Sequence, residues 1–248
     1  MKLYLYYGSH IAKEDVENIG NRLKEGGHMI CDSFSDCDLI LSLGGDGTLL
    51  KAAQHAIVYD RPLAGINCGR LGYLCLLRQE EIDGFNEAVK EAELSEKILL
   101  KCGMNGMEHY AVNDIMAGKT SFGKTVDLSL SVNGHFRYMT RCDGLIITTP
   151  VGSSAYNLAA FGPLLDDDTN TLTITPICSH TKDIHPLVVR DDKQITITVN
   201  RDEAGIFADG EFIGSISDSI TIKKSRKKAE AFLQEAVNRN VTTIQMPP

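Results

Sequence analysis

The sequence predicts two domains of different class, an N-terminal α/β domain and a β-rich C-terminal domain. Short apolar runs alternate with amphipathic helical patterns up to about residue 95, which is typical of a parallel sheet flanked by helices. Beyond that point, short strand patterns and hairpin turns follow one another. The last segment returns to helical spacing. We therefore assign residues 1–95, with about 226–248 returning, to an α/β Rossmann-like domain and residues 96–225 to the β-rich domain.

The first domain is expected to place ligands at the carboxyl ends of its strands, as open parallel sheets do. Strands are predicted at Lys2–Tyr7, near His28–Cys31, at Leu39–Leu43 and at Leu63–Ile66. Helices are predicted at about Ile11–Glu25, from Thr48 onward, and at about Glu80–Glu91. Two glycine-rich turns follow strands, at residues 44–47 and 65–72, and we expect the second to line the cleft that the first opens.

The second domain is predicted to be mostly antiparallel, because Asn133-Gly134 and Asp209-Gly210 are strong hairpin signals. Its predicted strands are Lys97–Cys102, His109–Ala117, Val126–Val132, His135–Met139, a buried run after Asp143, Thr171–Thr175, Gln194–Val199, Gly205–Ala208, Phe212–Ile216 and Ser219–Lys223. One helix is predicted at about Gly152–Phe161. A final helix, Arg226–Arg239, carries an apolar face that should pack back on the first domain.

Composition and charge exclude several classes of function. The net charge of −8 argues against a general nucleic-acid binder, so an anionic substrate must be met by local positive features. No apolar run approaches the length that spans a membrane. The seven cysteines form no Cys-x-x-Cys pair and, with the histidines, no metal-binding spacing. These observations predict reduced thiols, no protein-bound metal, no membrane partner and a cytoplasmic location.

A glycine turn with an unusual carboxylate lies at the centre of the first domain. The segment Gly44-Gly45-Asp46-Gly47-Thr48 ends a buried strand and begins a helix, so its glycines and the free helix amides form an anion site. A carboxylate there repels phosphate unless it holds a metal ion or takes a proton from an attacking hydroxyl. The alternative is that Asp46 or Thr48 only caps the helix.

A second group of residues, 143–163, is a candidate binding site for a ligand other than the anion at the glycine turn. It reads as a buried strand, a Pro-Val-Gly turn and a helix that opens with Ser153-Ser154. Hydroxyls at a helix start are common caps, and they also suit the polar edge of a ligand. Tyr156 offers an aromatic face to a base.

These motifs together resemble the NAD kinase family. The Gly-Gly-Asp-Gly-Thr turn is shared with lipid kinases and, more loosely, with phosphofructokinases. The segment 143–163 is similar to a pattern of the NAD kinases alone, and so are Asn113-Asp114, Pro176–His180 and Asp209–Glu211. The motifs occur in the family's order from residue 44 to 211, and so cover essentially the whole chain.

The resemblance implies an ATP-dependent phosphotransferase that acts on NAD. Asp46 would be the general base that deprotonates the 2′-hydroxyl of the adenosine ribose. The turn would hold the phosphates of ATP, which comes with Mg²⁺ or another divalent cation. The phosphate-binding residues would be Gly44, Gly45, Gly47 and Thr48.

The NAD-binding residues implied by the resemblance come from both domains. Asn113 and Asp114 would hold the ribose hydroxyls, and Ser154, Ala155 and Tyr156 would line the adenine pocket. The other implied contacts are Asp46, Gly47, Tyr73, Leu74, Lys124, Arg141, Asp143, Ala159 and Glu211. Family members form dimers or tetramers, and a β-rich domain with many strand edges is compatible with a homodimer or homotetramer.

Several positions depart from the family pattern, and two other functions stay open. Asp114 is shorter than the usual Glu, and Glu211 adds a charge where Gln is usual. Hydroxyls are lost at Val151 and Ala159, while Phe161 and His185 replace Gly and Arg. The alternatives are an NAD(P)-binding sensor without activity and a lipid kinase. NAD versus NADH, and ATP versus polyphosphate, are also left open.

Overall fold

The computed structural model describes residues 1–69, 74–92, 94–227 and 229–232 and folds them into two compact units. The first unit comprises Met1–Glu96 together with the strand Ala229–Phe232, and the second comprises Lys97–Lys228. Across the described residues, the helices are all too short or too polar to cross a membrane.

The first unit is an α/β domain. Its strands are β1 (Lys2–Tyr7), β2 (Met29–Ile30), β3 (Leu39–Gly44), β4 (Leu63–Asn67), β5 (Leu77–Arg78), β6 (Leu94–Lys97) and β19 (Ala229–Phe232). Its helices are α1 (Lys13–Glu25), α2 (Asp46–Tyr59), a 3-10 helix (Gln79–Gly84) and α3 (Phe85–Glu91). The helix predicted from residue 80 is therefore divided into a 3-10 turn and a short α-helix.

The strands of the first unit form one sheet in the order β2-β1-β3-β4-β19-β6, with β5 also paired to β4. The pairings of β1 with β2, β1 with β3 and β3 with β4 are parallel. All residues of β3 and β4 are buried, because helices cover both faces of a parallel sheet. The carboxyl ends of these strands therefore carry the two glycine-rich turns to the same edge, as the sequence predicts.

The predicted C-terminal helix is wrong where the structure describes it. Residues Ala229–Phe232 form β19, which pairs in parallel with β4, and the rest of the predicted helix lies outside the described residues. The chain does return to the first unit, as expected. Because β19 lies between β4 and β6, backbone hydrogen bonds on both sides outweigh the helical preference of alanine and glutamate.

The second unit is β-rich. Its strands are β7 (Leu100–Met104), β8 (Met107–Ala111), β9 (Asp114–Gly118), β10 (Val126–Val132), β11 (His135–Cys142), β12 (Gly144–Thr148), β13 (Thr171–Ile177), β14 (Leu187–Arg190), β15 (Ile195–Arg201), β16 (Ala204–Ala208), β17 (Glu211–Ile216) and β18 (Ser219–Lys224). A 3-10 helix (Val151–Ser154) and one turn of α-helix, α4 (Tyr156–Ala159), follow β12.

Two antiparallel sheets of the second unit share one hydrophobic core. Their orders are β11-β10-β15-β18-β7-β8 and β14-β13-β12-β9-β16-β17. Side chains in β10 alternate strictly between buried and half-buried positions, as a strand with one face on a core requires. Leu128 and Leu130 of the first sheet and Leu145 and Ile147 of the second belong to the same buried cluster.

Three further expectations for this unit need correction. The strand predicted at Lys97–Cys102 begins only at Leu100, because Lys97 is the last residue of β6, a separate strand. The strand predicted at His109–Ala117 is broken between β8 and β9, where the backbone of residues 112–113 bonds to a hairpin and a turn instead of a ladder. Strand β14 is not predicted from the sequence. It has only four residues and follows Pro186, a residue that disfavours strand interiors.

We predict that Gly65→Ala, in the middle of β4, destabilises the first unit by about 1–3 kcal/mol, the usual cost of overpacking. A methyl group at this position would lie 2.5 Å from Leu49 Cδ1 and 3.2 Å from Cys75 Cα, so helix and backbone must shift. Urea denaturation measures the change. The control is Gly103→Ala in β7, where nothing lies within 4 Å, and equal destabilisation by both variants would contradict the packing.

Candidate active site

The glycine turn of the first unit is shaped by close contacts. Gly44 ends β3 with a φ of +152°, and a Cβ atom there would lie 2.4 Å from Thr48 Oγ1. Gly45 is the N-cap of α2 and makes no side-chain capping bond, while Thr48 is buried beneath the turn. Glycine at position 44 is therefore required by both the backbone angle and the space, and the first-turn amides of α2 face outward from the strand end.

Asp46 occupies the first residue of α2, and its carboxylate reaches the second glycine-rich segment. Oδ1 of Asp46 accepts a hydrogen bond of 3.0 Å from the amide of Leu74. The neighbouring amide of Cys68 donates to the carbonyl oxygen of Gly44 at 3.3 Å. The two turns thus lie side by side, as predicted, and the carboxylate of Asp46 is fixed by a residue outside its own helix. Tyr73, predicted beside Leu74, lies outside the described residues.

A cavity of about 530 Å³ opens beside this turn, within the first unit. Gly45, Gly47, Thr48 and Lys51 of the α2 end line it, and Lys51 brings a positive charge. The rest of the lining is Tyr6, near the end of β1, and Gly8, Ser9 and His10, which follow β1. Cavities of this volume hold small ligands, and a helix start with a lysine suits an anionic one.

In the second unit, Asn113 and Asp114 lie at the break between β8 and β9. The carbonyl oxygen of Asn113 accepts hydrogen bonds from the Thr149 amide at 2.9 Å and the Thr148 hydroxyl at 3.2 Å. The Thr149 hydroxyl donates to the carbonyl oxygen of Val112 at 2.6 Å. The turn after β12 therefore holds the backbone of residues 112–113, and predicted site residues from two segments come together.

Gly152 completes this contact. A Cβ atom at Gly152 would lie 2.2 Å from the carbonyl oxygen of Asn113, so any larger residue would push the two segments apart. The amide of Gly152 donates to the Thr149 hydroxyl at 3.1 Å. Gly152 is thus required for packing at this site, a role that the sequence analysis does not predict although the residue lies within the motif.

The helix predicted at about Gly152–Phe161 is divided in the structure into a 3-10 helix and one turn of α-helix, because Ala155 between them has a non-helical backbone (φ −91°, ψ −128°). Asn157 is fully buried, and its Nδ2 donates to the carbonyl oxygens of Ser153 and Pro163, each at 3.0 Å. Its Oδ1 accepts a hydrogen bond from the Thr175 hydroxyl at 2.6 Å. These bonds tie α4 to the preceding 3-10 helix, to the loop after it and to β13. Asn157 was missed because one asparagine in a helical pattern gives no signal of burial.

The residues predicted to bind adenine are exposed and lie on the same short segment. Ser154, Ala155 and Ala159 are exposed, and the Tyr156 side chain is 48% exposed, so its ring can stack on a base. Phe161, where the family pattern has glycine, adopts a φ of +61° and is 93% exposed. The chain thus keeps a glycine-like backbone at this position in spite of the larger residue.

The carboxyl groups of Asp114 and Asp209 interact with each other next to Asn113. Asp114 is only 6% exposed, and burial together with the charge of Asp209 raises the pKa of its carboxyl group to about 7. Burial also raises the pKa of Asp209 to about 6, although three backbone amides that bond to it act in the opposite direction. Near neutral pH, Asp114 can therefore either donate or accept a hydrogen bond.

The remaining predicted residues lie in other parts of the second unit. Arg141 forms a two-pronged ion pair with Asp127, at 2.7 and 2.9 Å, and this pair holds the pKa of Asp127 below its usual range. Asp143 pairs with Lys119 at 2.6 Å. Lys119 and Lys124 line a polar cavity of about 760 Å³, whereas Arg141 lines a different one.

Glu211 begins β17 and is exposed. Within the described residues, no three His, Cys, Asp or Glu side chains group into a metal site.

We predict that Asp114→Asn stabilises the protein more at pH 8 than at pH 5. The raised pKa of Asp114 means that folding favours its protonated form, so wild-type stability is lost as pH rises toward the folded pKa near 7. The gap between variant and wild type should widen by about 2.5 kcal/mol from pH 5 to pH 8 in urea denaturation.

The control for this measurement is Asp191→Asn. Asp191 is equally buried but pairs with Lys224, so its substitution should lower stability instead of raising it. A gap between Asp114→Asn and wild type that does not change with pH would contradict the buried, mostly uncompensated position of Asp114.

Comparison with known proteins identifies the family. Residues 9–94 match the model of the ATP-NAD kinase N-terminal domain, and residues 112–233 match that of the ATP-NAD kinase C-terminal domain. A relative from Sulfurimonas denitrificans, described as NAD kinase, is 31% identical over 245 residues, which are 96% of this chain and 86% of the relative. Another from Thiobacillus denitrificans, also described as NAD kinase, is 36% identical over 73% of this chain, but the match spans only 65% of that relative.

Solved structures show the same architecture. An NAD kinase from Archaeoglobus fulgidus, solved in complex with ATP, superposes with a TM-score of 0.84 at 29% identity and covers 97% of each chain. Yeast NADH kinase, at 18% identity and a TM-score of 0.84, shares the fold. The α/β and β-rich fold class is confirmed, and this chain belongs to the ATP-NAD kinase family.

Proposed function

We propose that this protein is an NAD kinase, which transfers the γ-phosphoryl group of ATP to the 2′-hydroxyl of the adenosine ribose of NAD. The observation that carries the proposal is the carboxylate of Asp46, held by the Leu74 amide beside a cavity lined by the glycine turn and Lys51. A carboxylate in that position suits proton transfer from a hydroxyl that attacks a bound phosphate. Membership of the ATP-NAD kinase family supports the same reaction.

The donor's phosphates bind in the cavity beside the turn. Amides of Gly45 and Gly47 and the first turn of α2 hold phosphate oxygens, and Lys51 and His10 face the same space. A divalent cation such as Mg²⁺ would be held mainly by the donor's phosphates and would neutralise part of their charge, since this ion is commonly bound by substrate phosphates and one or two carboxylates.

The acceptor binds to the second unit. The side chains of Asn113 and Asp114 hold the ribose hydroxyls, and the exposed ring of Tyr156 stacks on the adenine. Asp46 takes the 2′-hydroxyl proton while that oxygen attacks the γ-phosphorus and ADP leaves. Most of the rate enhancement comes from positioning and charge stabilisation, as in other phosphoryl transfers.

The proposal extends to the setting of the enzyme. The seven cysteines are all free thiols in the structure, which supports a reducing, cytoplasmic location. Exposed apolar side chains such as Phe161 and Leu164 support a homodimer or homotetramer. Light scattering of the purified chain measures its oligomeric state.

We predict that Asp46→Asn lowers kcat about 10²- to 10⁴-fold, the usual contribution of a general base. Asparagine keeps an oxygen that can accept the Leu74 amide, so the turn and the KM for NAD should be nearly unchanged. A coupled assay with ATP, Mg²⁺ and NAD measures both constants. Glu87→Gln, in the first turn of α3, is the control for loss of a carboxylate near a helix start. Wild-type turnover in Asp46→Asn would refute the role of Asp46.

The same assay separates the alternative functions and substrates. NADP formation with stoichiometric ADP is expected, and a chain that binds NAD but forms no NADP would be a sensor. ADP release that depends on a lipid instead of NAD would indicate a lipid kinase. Parallel reactions with NADH and with polyphosphate define the preferred acceptor and donor.

A further inference from the structure

Asp209, at the tip of the β16–β17 hairpin, bonds to three consecutive backbone amides. Its Oδ2 accepts the amide of Val112 at 2.9 Å, and its Oδ1 accepts the amides of Asn113 at 2.7 Å and Asp114 at 3.2 Å. Its own amide donates to the carbonyl oxygen of Asp114 at 2.9 Å. Asp209 adopts a φ of +47°, followed by Gly210 at +80°, so the hairpin turn itself directs the carboxylate toward this segment.

Three consecutive amides that point to one carboxylate define an unusual backbone. In a strand, successive amides point to opposite sides, so residues 112–113 lie outside a regular ladder and β9 begins only at Asp114. A carboxylate has two oxygens and several lone pairs, and so it can satisfy all three amides, which a hydroxyl or an amide side chain cannot. The break between β8 and β9 therefore depends on the carboxyl oxygens of Asp209, which accept these three hydrogen bonds.

The other side of the same backbone is also fixed. Thr148 and Thr149 donate to the carbonyl oxygens of Val112 and Asn113. With donors and acceptors of the backbone both satisfied, the side chain of Asn113 is the group that is left to meet a ligand. Its Oδ1 is buried and has no hydrogen-bond partner among the described residues, as expected of an atom that awaits a donor.

We infer that Asp209 is a positioning residue for the acceptor substrate: it sets the direction of the Asn113 and Asp114 side chains by holding their backbone amides. The inference rests on the proposed function, in which these two side chains bind the ribose of NAD. In the motif Asp209-Gly210-Glu211, the residue that the sequence analysis predicts to contact NAD is Glu211. The geometry gives Asp209 a different role in the same site: it holds the backbone of Asn113 and Asp114 and does not itself touch the substrate.

The test is the effect of Asp209→Ala on each substrate separately. Loss of the carboxylate should raise the KM for NAD about 10- to 100-fold, the range for loss of charged hydrogen bonds, and leave the KM for ATP within about 2-fold. Asp209→Asn keeps one oxygen for Asn113 and Asp114 and should give a smaller rise. Calorimetric binding of NAD to both variants gives the same comparison without turnover.

A double-mutant cycle with Asn113→Ala separates positioning from a general loss of structure. If Asp209 acts through Asn113, Asp209→Asn should add little to the NAD affinity already lost in Asn113→Ala. If Asp209 only maintained the fold, Asp209→Asn would lower the stability of the protein, and its effect on NAD affinity would multiply the effect of Asn113→Ala. The cycle uses the milder substitution, so it stays informative if Asp209→Ala fails to fold.

Asn133→Ala is the matched control. Asn133 also lies at a hairpin tip with a positive φ of 50°, and its Oδ1 accepts the Gln194 amide at 2.8 Å in the other sheet. Its loss should leave both KM values unchanged. The inference would be overturned if folded Asp209→Ala kept the wild-type KM for NAD, or if its KM values for NAD and for ATP rose equally. The proposed function would still stand in that case, because it rests on the activity of the wild type. Absence of NAD binding by the wild type would instead overturn the proposed function, and this inference with it.

Discussion

Buried backbone amides must find acceptors, and in the second unit this constraint is met by a single carboxylate. The amides of residues 112–114 all bond to Asp209, while the carbonyl groups on the other side bond to Thr148 and Thr149. An unpaired buried amide costs about 1–3 kcal/mol, so neither set of bonds is optional. The position of Asn113, and with it the proposed acceptor site, depends on a hairpin and a turn that are both distant in sequence.

The first unit meets a related constraint by removing side chains. At Gly44 and Gly65 the backbone approaches a neighbour so closely that a Cβ atom would lie 2.4–2.5 Å from it. These approaches let α2 begin directly at the end of β3, so that Gly45, Gly47 and Thr48 line the cavity. The proposed role of Asp46 as a base requires a fixed position, to which the Leu74 amide contributes.

The sequence predicts most of the fold because most of its signals are local. The alternation in β10, the Asn133-Gly134 hairpin and the buried strand before Gly44 depend on residues within a few positions of one another. The helix predicted in the final segment is wrong where the structure describes it, because residues Ala229–Phe232 pair with β4. This strand lies far away along the chain, and the pairing overrides the local helical pattern. For the same reason the motifs lead to Asp46 and Asn113 as candidate site residues, whereas the backbone bonds of Asp209, within the Asp209–Glu211 motif, are not predicted, because the bonded amides lie up to 97 residues away.

The most direct test of the account is to identify the product that the purified chain forms from NAD, ATP and Mg²⁺. Phosphorus NMR distinguishes a phosphate monoester on the adenosine 2′-oxygen from inorganic phosphate and from phosphate at other ribose positions. The account predicts one new monoester at the 2′-position for each ADP released, and no ADP release without NAD. Release of ADP together with inorganic phosphate but no monoester, or a monoester at another oxygen, would contradict it.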